Sequence, residues 1–343
     1  MIKILLVISL GMAFFSQISG LSFMSLANSF ALISGWLVLF LIFLSGGIGL
    51  LGGWLPRSKK PSLSLLKIKR KERVLFFTPH PDDETLAAGG LISQLLAQKN
   101  PLKIVFVTRG NGNPSLFLKD KKLRFSPEKF IETGRVREEE AKKAIKALGG
   151  QENNLLFWDY PDGALSSLWK KPKKLIASRA TKLDHSPDAL QEYRGENLTK
   201  DIKDVIKEFQ PTVIFAPHQK ESNPDHQAVA LFIKKALKAI RWQGTLYQYP
   251  IHLKILKFFR IYPPGLKKKN KTLFPPRQIS PKGEGWFSFW LSEEQLVKKR
   301  KALNCYQSQL IIPTLRVLFR SFQTQNETFS LLNNYSSSSS SKR

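Results

Sequence analysis

The chain has 343 residues, of which 42% are hydrophobic, and its 54 Lys and Arg residues outnumber its 26 Asp and Glu residues to give a formal net charge of +28. This length and apolar content suffice for one domain of ordinary size with appendages, and the single cysteine, Cys305, excludes an internal disulfide. Nucleic acid is the usual partner of so basic a chain, but no basic-aromatic motif and no zinc-finger spacing occurs, so no nucleic-acid partner is expected.

The first 56 residues are predicted to anchor the chain in a membrane. They contain no acidic residue, and Lys3 is their only basic one. Two apolar runs, 4–18 and 31–55, are present, and the second is long enough to cross a bilayer core of about 30 Å as a helix. Residues 1–56 are therefore predicted to form one or two transmembrane helices, with a helical hairpin preferred over a cleaved signal peptide.

A basic juxtamembrane linker is predicted at residues 57–71, where seven Lys and Arg residues follow the second apolar run. Lys3 precedes the first run, so the positive-inside rule places both ends of the hairpin in the cytoplasm. For a bacterial protein this means the inner (cytoplasmic) membrane, with the remainder of the chain facing the cytoplasm. The cluster is also expected to contact anionic headgroups, since each basic residue near such a surface contributes about 1 kcal/mol.

Residues 72–330 are predicted to form one α/β domain, because short apolar runs alternate with amphipathic segments. This alternation indicates a Rossmann-like, mostly parallel sheet with helices on both faces. Residues 331–343, which include a serine run, are predicted to be a disordered Ser-rich tail. The predicted strands are 74–77, 103–108, 154–158, 212–216 and 246–249, and the predicted helices are 84–98, 132–148, 199–209 and 227–241.

The turn after the first predicted strand carries the first candidate site residues. Residues 78–84 read Thr-Pro-His-Pro-Asp-Asp-Glu. An imidazole and a carboxylate are suitable ligands for Zn²⁺, and a second carboxylate beside the metal is what a hydrolase needs as a general base. The alternative is that Asp82 or Asp83 caps the following helix and that His80 is an ordinary turn residue.

A second turn of this kind follows the fourth predicted strand. Residues 217–226 read Pro-His-Gln-Lys-Glu-Ser-Asn-Pro-Asp-His and precede a predicted helix. Because the carboxyl ends of parallel strands meet at one edge of an open α/β sheet, the two turns are expected to lie together there. Two groups of His and Asp residues at one edge favour a metal site over two unrelated helix caps.

These turns resemble the marks of the PIG-L/LmbE-like family of zinc-dependent N-deacetylases, which are a His-Pro-Asp-Asp-Glu turn and a later Asp-His pair. The resemblance continues, in the family's order, through Arg-Glu-Glu-Glu-Ala at 137–141, Tyr-Pro-Asp-Gly at 160–163 and Lys-Ala-Leu at 301–303. It extends over roughly residues 72–310 and implies the same Rossmann-like layout.

The resemblance implies a zinc site with three protein ligands, His80, Asp83 and His226, and one position open for water. Asp82 is then the general base, because a carboxylate bound to the metal loses basicity whereas its neighbour stays free to accept a proton. Fe²⁺ is a possible alternative, since it suits two His and one carboxylate nearly as well.

Asn223 is where the chain departs from the family's pattern, because some members have His at this place. An asparagine can donate a hydrogen bond to a tetrahedral intermediate but cannot supply a proton. Asn223 is therefore predicted to be catalytic as a donor only, and the acid stays open among Asp82, Glu221 and His218. Arg137 matches a family arginine near the substrate and is predicted to bind substrate, the alternative being an exposed arginine on a charged helix face.

Several other features are given ordinary roles. Asp162 is interpreted as a turn former, and His185 and His252 as surface residues. Residues 166–197 are expected to form a substrate-side loop or lid, because they are long and polar for a connection. For residues 253–290 two interpretations stay open, a surface that rests on the membrane and an extended excursion.

The predicted function is removal of an N-acetyl group from an N-acetylglucosamine-type sugar by a membrane-anchored hydrolase. An anchor near the active site would give a high local concentration of a substrate carried on a lipid, so a lipid-linked or membrane-associated sugar is expected. The predicted partners are therefore this acetylated amino sugar and an anionic membrane surface, and no protein partner is inferred. The alternative is a catalytically silent, membrane-anchored module that binds a glycan or a lipid headgroup.

Overall fold

The computed structural model describes residues 63–113, 125–188, 191–256, 259–262, 272–276, 279 and 285–334. The predicted anchor at 1–56 and the serine run at 336–341 lie outside these residues. Within the ranges described, no helix combines the length and the apolar character needed to span a membrane.

Strands and helices alternate through the first two thirds of the described domain, as predicted. The strands are β1 (Ser64–Leu65), β2 (Val74–Thr78), β3 (Leu102–Phe106), β4 (Leu155–Phe157), β5 (Val213–Pro217), β6 (Thr245–Tyr249), β7 (Leu253–Leu256), β8 (Phe259–Tyr262), β9 (Trp286–Trp290) and β10 (Asn326–Asn334). The helices are α1 (Asp83–Ala97), α2 (Pro127–Ala147), α3 (Leu165–Lys170), α4 (Gly195–Phe209), α5 (Pro224–Ala239), α6 (Glu293–Leu303), α7 (Gln307–Leu310) and α8 (Pro313–Ser321).

One eight-stranded sheet contains all the strands except β7 and β8, which pair with each other. Its strand order is β1-β9-β10-β6-β5-β2-β3-β4. The five strands from β6 to β4 are parallel, whereas β10 runs antiparallel to both β6 and β9. The predicted α/β fold with a mostly parallel sheet is confirmed for this centre, and the antiparallel extension was not predicted.

The central strand β2 is apolar at almost every position because helices cover both faces of the sheet. Phe76 lies in a core formed with α1, α2 and α6, and Phe77 lies in a second core formed with α4 and α5. The Phe76 ring stacks on Phe215 of β5 with centroids 4.5 Å apart. Burying one such side chain contributes about 1.5–3 kcal/mol, so this pair helps to fix the register of β2 against β5.

The register of β2 and β5 determines where the candidate site lies. β3 is on one side of β2 and β5 is on the other, so the strand order reverses between β2 and β5. Open α/β sheets bind ligands in the crevice at the carboxyl ends of the strands at this point. The turns 79–82 and 218–223 leave β2 and β5 at that crevice.

Both ends of the predicted domain need correction. The described part of the predicted linker, residues 63–71, contributes to the fold, because β1 pairs with β9 and Leu66 and Ile68 are buried in the core. Lysines alternate with these apolar residues, and the high charge concealed a short edge strand. At the other end β10 continues to Asn334, past the predicted start of the tail at 331.

Two segments that the sequence left open contain regular structure. The predicted loop 166–197 begins inside α3 and is held against the sheet, since the Ser186 hydroxyl donates to Asp159 Oδ2 at 3.2 Å and Tyr193 is buried. The segment 253–290 contributes β7, β8 and β9. β9 lies inside the sheet, so neither open interpretation of 253–290 accounts for that part of it.

Helix α1, which begins at the first turn, is kinked at Ala88, where φ is −142° and ψ is 17°. The kink frees backbone groups inside the core, and a buried ion pair satisfies them. Glu327 of β10 accepts hydrogen bonds from the Gly90 and Leu91 amides at 2.7 and 2.9 Å. Lys299 of α6 donates to Glu327 at 2.7 Å and to the Leu86 carbonyl at 2.9 Å.

We expect Glu327→Ala to destabilise the domain by about 3–5 kcal/mol, because it leaves a buried ammonium group without its counter-ion and two backbone amides without an acceptor. Both Lys299 and Glu327 side chains are 1% exposed. Urea unfolding followed by circular dichroism measures the change. The matched control is Asp204→Ala, which removes an exposed ion pair with Lys200 and should leave the midpoint unchanged. Equal effects of the two substitutions would contradict the role given to Glu327.

Candidate metal centre

The turn after β2 brings His80, Asp82 and Asp83 to the carboxyl edge of the sheet. Asp82 has φ 126° and ψ −31°, a conformation that an L residue adopts only under constraint. Its side chain does not cap α1. Instead the Asp82 amide donates to Glu84 Oε2 at 3.1 Å. The cap proposed as the alternative for Asp82 is therefore absent, and the strained backbone directs the two aspartates differently.

The three predicted metal ligands lie together, because both imidazole rings approach one carboxylate oxygen of Asp83. Asp83 Oδ2 lies 3.2 Å from His80 Nδ1 and 3.2 Å from His226 Nε2. The two imidazole centroids are 5.3 Å apart. The ligand atoms of His80, Asp83 and His226 lie within 4.8 Å of one another, so the three side chains could hold one metal ion.

The outer nitrogen of each imidazole faces another carboxylate. His226 Nδ1 lies 3.3 Å from Glu221 Oε2, and His80 Nε2 lies 3.1 Å from Asp162 Oδ1 and 3.6 Å from Asp225 Oδ2. Carboxylates in this position fix the ring orientation of metal-binding histidines and raise their basicity. Glu221 is itself fixed, since it accepts hydrogen bonds from the Ile251 and His252 amides.

The donor set fits a cation. Both ring nitrogens of His226 are buried and neither makes a hydrogen bond of good geometry, although carboxylates lie close to them. Burial lowers the pKa of His226, but the Asp83 and Glu221 carboxylates outweigh that effect and raise it to about 10. Burial likewise lowers the pKa of His80, and Asp162 raises it well above its usual value. Carboxylates that favour a proton here also favour a metal ion in its place.

Asp82 points to a different partner from Asp83. Its Oδ2 accepts a hydrogen bond from Arg137 Nη2 at 3.0 Å. Burial raises the pKa of Asp82 to about 8, with Arg137 acting in the opposite direction and Asp83 adding to the rise. Burial also raises the pKa of Asp83, but the His226 and His80 rings outweigh this and hold it well below its usual value. Of the two aspartates, Asp82 is thus the stronger base.

Arg137 is 3% exposed, so the alternative of a solvent-exposed arginine is wrong. Its guanidinium donates to the Gly110 carbonyl at 2.8 Å and to the Pro81 carbonyl at 2.6 Å, in addition to Asp82. Gly110 has φ +63°, and a Cβ atom there would collide with the guanidinium. Arg137 therefore braces the turn that carries Asp82, and its predicted contact with substrate stays a prediction.

A cavity of about 370 Å³ opens over these residues. All of the predicted site residues except the fully buried His226 line it. Asn223 caps α5, because its Oδ1 accepts from the Asp225 amide at 2.9 Å. The lining residues include His80, Asp82, Asp83, Arg137, Asn223, Asp162, His252 and Gln309.

Three residues have roles that the sequence did not assign. Asp162, interpreted as a turn former, contacts His80 and accepts from the Gly112 amide at 2.8 Å. His252, interpreted as a surface residue, lines the cavity. Glu221, one candidate acid, is 1% exposed and is occupied in orienting His226. The one feature of the sequence that could have indicated a site role for Asp162 is its place in Tyr-Pro-Asp-Gly, after a predicted strand.

His218, the other open candidate, lies beside a different cavity. It is buried, stacks on Trp286 with centroids 5.9 Å apart, and lines a pocket with Lys220 and Gln248. Its Nδ1 accepts a hydrogen bond from the Lys220 amide at 3.1 Å. Burial lowers the pKa of His218 to about 4, so it is neutral at physiological pH. This location excludes His218 as the acid in the structure described.

A second group of metal-binding side chains shares His80. His80, Asp162 and Asp225 also have ligand atoms within 4.8 Å of one another. Asp225 already accepts hydrogen bonds from the Gly163 and Leu165 amides at 2.6 and 3.1 Å, which leaves it less available to a cation. The group with two imidazoles has the donor set that Zn²⁺ and Fe²⁺ prefer, so we take it as the candidate metal centre.

Comparisons with known proteins agree with the resemblance inferred from the motifs. Residues 75–237 match the family model PIG-L, described as GlcNAc-PI de-N-acetylase. A 1D-myo-inositol 2-acetamido-2-deoxy-alpha-D-glucopyranoside deacetylase from Kineococcus radiotolerans is 25% identical over 188 residues, which are 53% of this chain and 49% of the relative. A second such deacetylase, from Saccharopolyspora erythraea, is 27% identical over 158 residues, which are 45% of this chain and 50% of the relative.

The chain thus spans about half the length of the curated relatives it matches. Among solved structures, N,N'-diacetylchitobiose deacetylase from Pyrococcus horikoshii superposes with a TM-score of 0.44 at 16% identity. This superposition covers 76% of this chain and 84% of that one. The predicted resemblance to the PIG-L/LmbE-like family is confirmed by the family match.

We expect His226→Ala to lose its metal and Asp82→Asn to retain about one equivalent, because His226 lies at the Asp83 oxygen whereas the Asp82 carboxylate is bound by Arg137. Metal content is measured by mass spectrometry after dialysis against metal-free buffer. His185→Ala is the matched histidine control, since His185 pairs with Asp184 away from the cavity and should keep its metal. Equal loss from Asp82→Asn and His226→Ala would show that the two aspartates have been assigned the wrong way round.

Proposed function

Residues 75–237 of this chain match the PIG-L family model, and on that premise we propose that the protein is a metal-dependent N-deacetylase of N-acetylglucosamine-type sugars. One observation carries the proposal. His80, Asp83 and His226 converge, and Asp82 lies beside them in the same cavity with a different partner. Amide hydrolysis at a metal needs this combination of ligands and a separate base.

The residues divide the chemistry between them. A bound metal ion makes water more acidic and polarises a carbonyl group. Asp82 accepts the proton of the attacking water, because its carboxylate is not shared with either imidazole and is held by Arg137. Asn223, in the wall of the cavity, presents an amide that donates a hydrogen bond to the substrate oxygen. Zn²⁺ is the ion proposed, with Fe²⁺ as the alternative.

The proposed substrate class comes from the relatives. The family model is described by a de-N-acetylase of GlcNAc-PI, and both curated relatives are named for a 2-acetamido-2-deoxy-glucopyranoside. Each of these substrates has an acetamido group on a glucose ring. The cavity of about 370 Å³ has the size of a small-ligand site, and its polar walls suit a sugar.

We expect the wild-type protein to release acetate from an N-acetylglucosaminide and Asp82→Asn to lower turnover by about two to four orders of magnitude, the scale of a lost general base. Free amine and acetate are quantified at equal metal loading. His185→Ala, which lies outside the cavity lining, serves as the control and should turn over at the wild-type rate. Stoichiometric metal without turnover of any acetylated amino sugar would contradict the proposal and favour a glycan-binding or headgroup-binding module.

We further propose that the natural substrate is lipid-linked and that the catalytic domain faces the cytoplasm, which for a bacterial protein places it at the inner membrane. The support lies in the sequence, where the apolar runs 4–18 and 31–55 are followed by the basic residues of 57–71. The PIG-L description, which names a phosphatidylinositol-linked sugar, agrees with it. A membrane anchor raises the local concentration of a substrate held in the same bilayer.

We expect the full chain to prefer a lipid-linked acetylated sugar in anionic vesicles over its soluble headgroup, and a chain that begins at Pro61 to lose that preference. The shorter chain retains Leu66 and Ile68, which are buried in the core. The ratio of kcat/KM values for the two substrates is the measurement, and both chains should hydrolyse the soluble sugar equally. An unchanged ratio after truncation would contradict the role given to the anchor.

A further inference from the structure

One histidine in the wall of the cavity, His252, has no role in the family resemblance and is not a ligand of the candidate metal centre. Asn223 stands where some relatives have His, and its Oδ1 is committed to the Asp225 amide. Glu221 and His218 are excluded as the catalytic acid, because Glu221 orients His226 and His218 lies beside a different cavity. His252 lines the same cavity as Asp82, Asp83 and Asn223. It comes from the segment after β6, the next strand of the sheet beyond β5.

The backbone of His252 is fixed on both sides. Its amide donates to Glu221 Oε2 at 2.8 Å, and its carbonyl accepts from the Ser222 amide at 2.7 Å. Ser222 directly precedes Asn223, so the segment after β6 is tied to the turn after β5. Glu221 Oε2 also faces His226 Nδ1 at 3.3 Å. One carboxylate oxygen therefore sets the position of the ligand His226 and of His252 together.

The ring of His252 stands edge-on to that of His226, with centroids 4.9 Å apart and an interplanar angle of 74°. His252 is partly exposed where it meets the cavity, whereas His226 is completely buried. The His252 ring is thus beside the candidate metal centre and forms part of the cavity wall. The ring therefore borders the space from which a substrate would reach the ligands of the centre.

We propose that His252 is a catalytic residue of the proposed deacetylase, donating a ring N–H hydrogen bond to the acetamido oxygen as negative charge develops on it. An imidazole carries an N–H in both its neutral and its protonated form, so this role does not depend on its charge. A donor held in place before the reaction stabilises the oxyanion without a cost of reorganisation. His252 would then supply, from the segment after β6, the imidazole donor that position 223 lacks.

The proposal rests on the proposed function, and the experiment separates the two. His252→Ala, His252→Gln and the control His185→Ala are compared with the wild-type protein for kcat, KM and metal content. We expect His252→Ala to lower kcat by about 10²–10³, the scale of a lost oxyanion donor, with KM changed less than threefold and metal at the wild-type level. His252→Gln, which keeps an N–H donor, should recover part of the loss.

A binding measurement checks the same point without turnover. Affinity for a methylphosphonamide analogue of the sugar, which is tetrahedral and anionic at phosphorus, should fall in His252→Ala by the factor lost from kcat/KM. Affinity for the free amino sugar should not change. Wild-type kinetics in His252→Ala, or loss of metal in proportion to kcat, would overturn the assignment of His252. Absence of acetate release from the wild-type protein would remove the proposed function and this assignment with it.

Discussion

The candidate site depends on the position of one atom, Asp83 Oδ2, which lies 3.2 Å from a nitrogen of His80 and 3.2 Å from a nitrogen of His226. These residues come from turns that are far apart in the sequence. They meet because β2 and β5 pair in one register and their carboxyl ends open into the same crevice. Stacking of Phe76 on Phe215 within that pairing links the apolar core directly to the geometry of the site.

Charge explains why this crevice suits a cation. The chain as a whole is strongly basic, but the crevice gathers the carboxylates of Asp82, Asp83, Asp162, Asp225 and Glu221 around two imidazoles. Arg137 is the one guanidinium among the described residues that line the cavity, and it is bound to Asp82. Asp83 therefore stays available to a metal while Asp82 is kept apart from it.

Much of the fold could be predicted from sequence because the central parallel strands are largely buried and, apart from a few residues such as Lys103, mostly apolar. The extension formed by β1, β9 and β10 could not. Its strands include buried polar side chains such as Glu327, whose partners lie far away in the chain. Charged residues whose partners are brought close only by the tertiary fold give no local periodic signal. For this reason the buried ion pair of Lys299 and Glu327 could not be predicted from sequence.

Some residues of the candidate site could be predicted from sequence and others could not. His80, Asp82, Asp83 and His226 stand in short motifs directly after strands, so their meeting at one edge follows from topology. Asp162 resembles an ordinary turn residue in sequence, and its contact with His80 depends on how the loop after β4 folds over the edge. His252 has no motif around it, and its place in the cavity depends on the tie between its backbone and Glu221.

The proposed site holds one metal ion between His80, Asp83 and His226. Anomalous diffraction from metal-loaded crystals, collected on both sides of the zinc absorption edge, tests it most directly. We expect a single peak at about 2.0–2.2 Å from His80 Nδ1, Asp83 Oδ2 and His226 Nε2, the usual range for nitrogen and carboxylate ligands of zinc. A peak beside His80 Nε2, Asp162 and Asp225 instead would contradict the assignment of the centre.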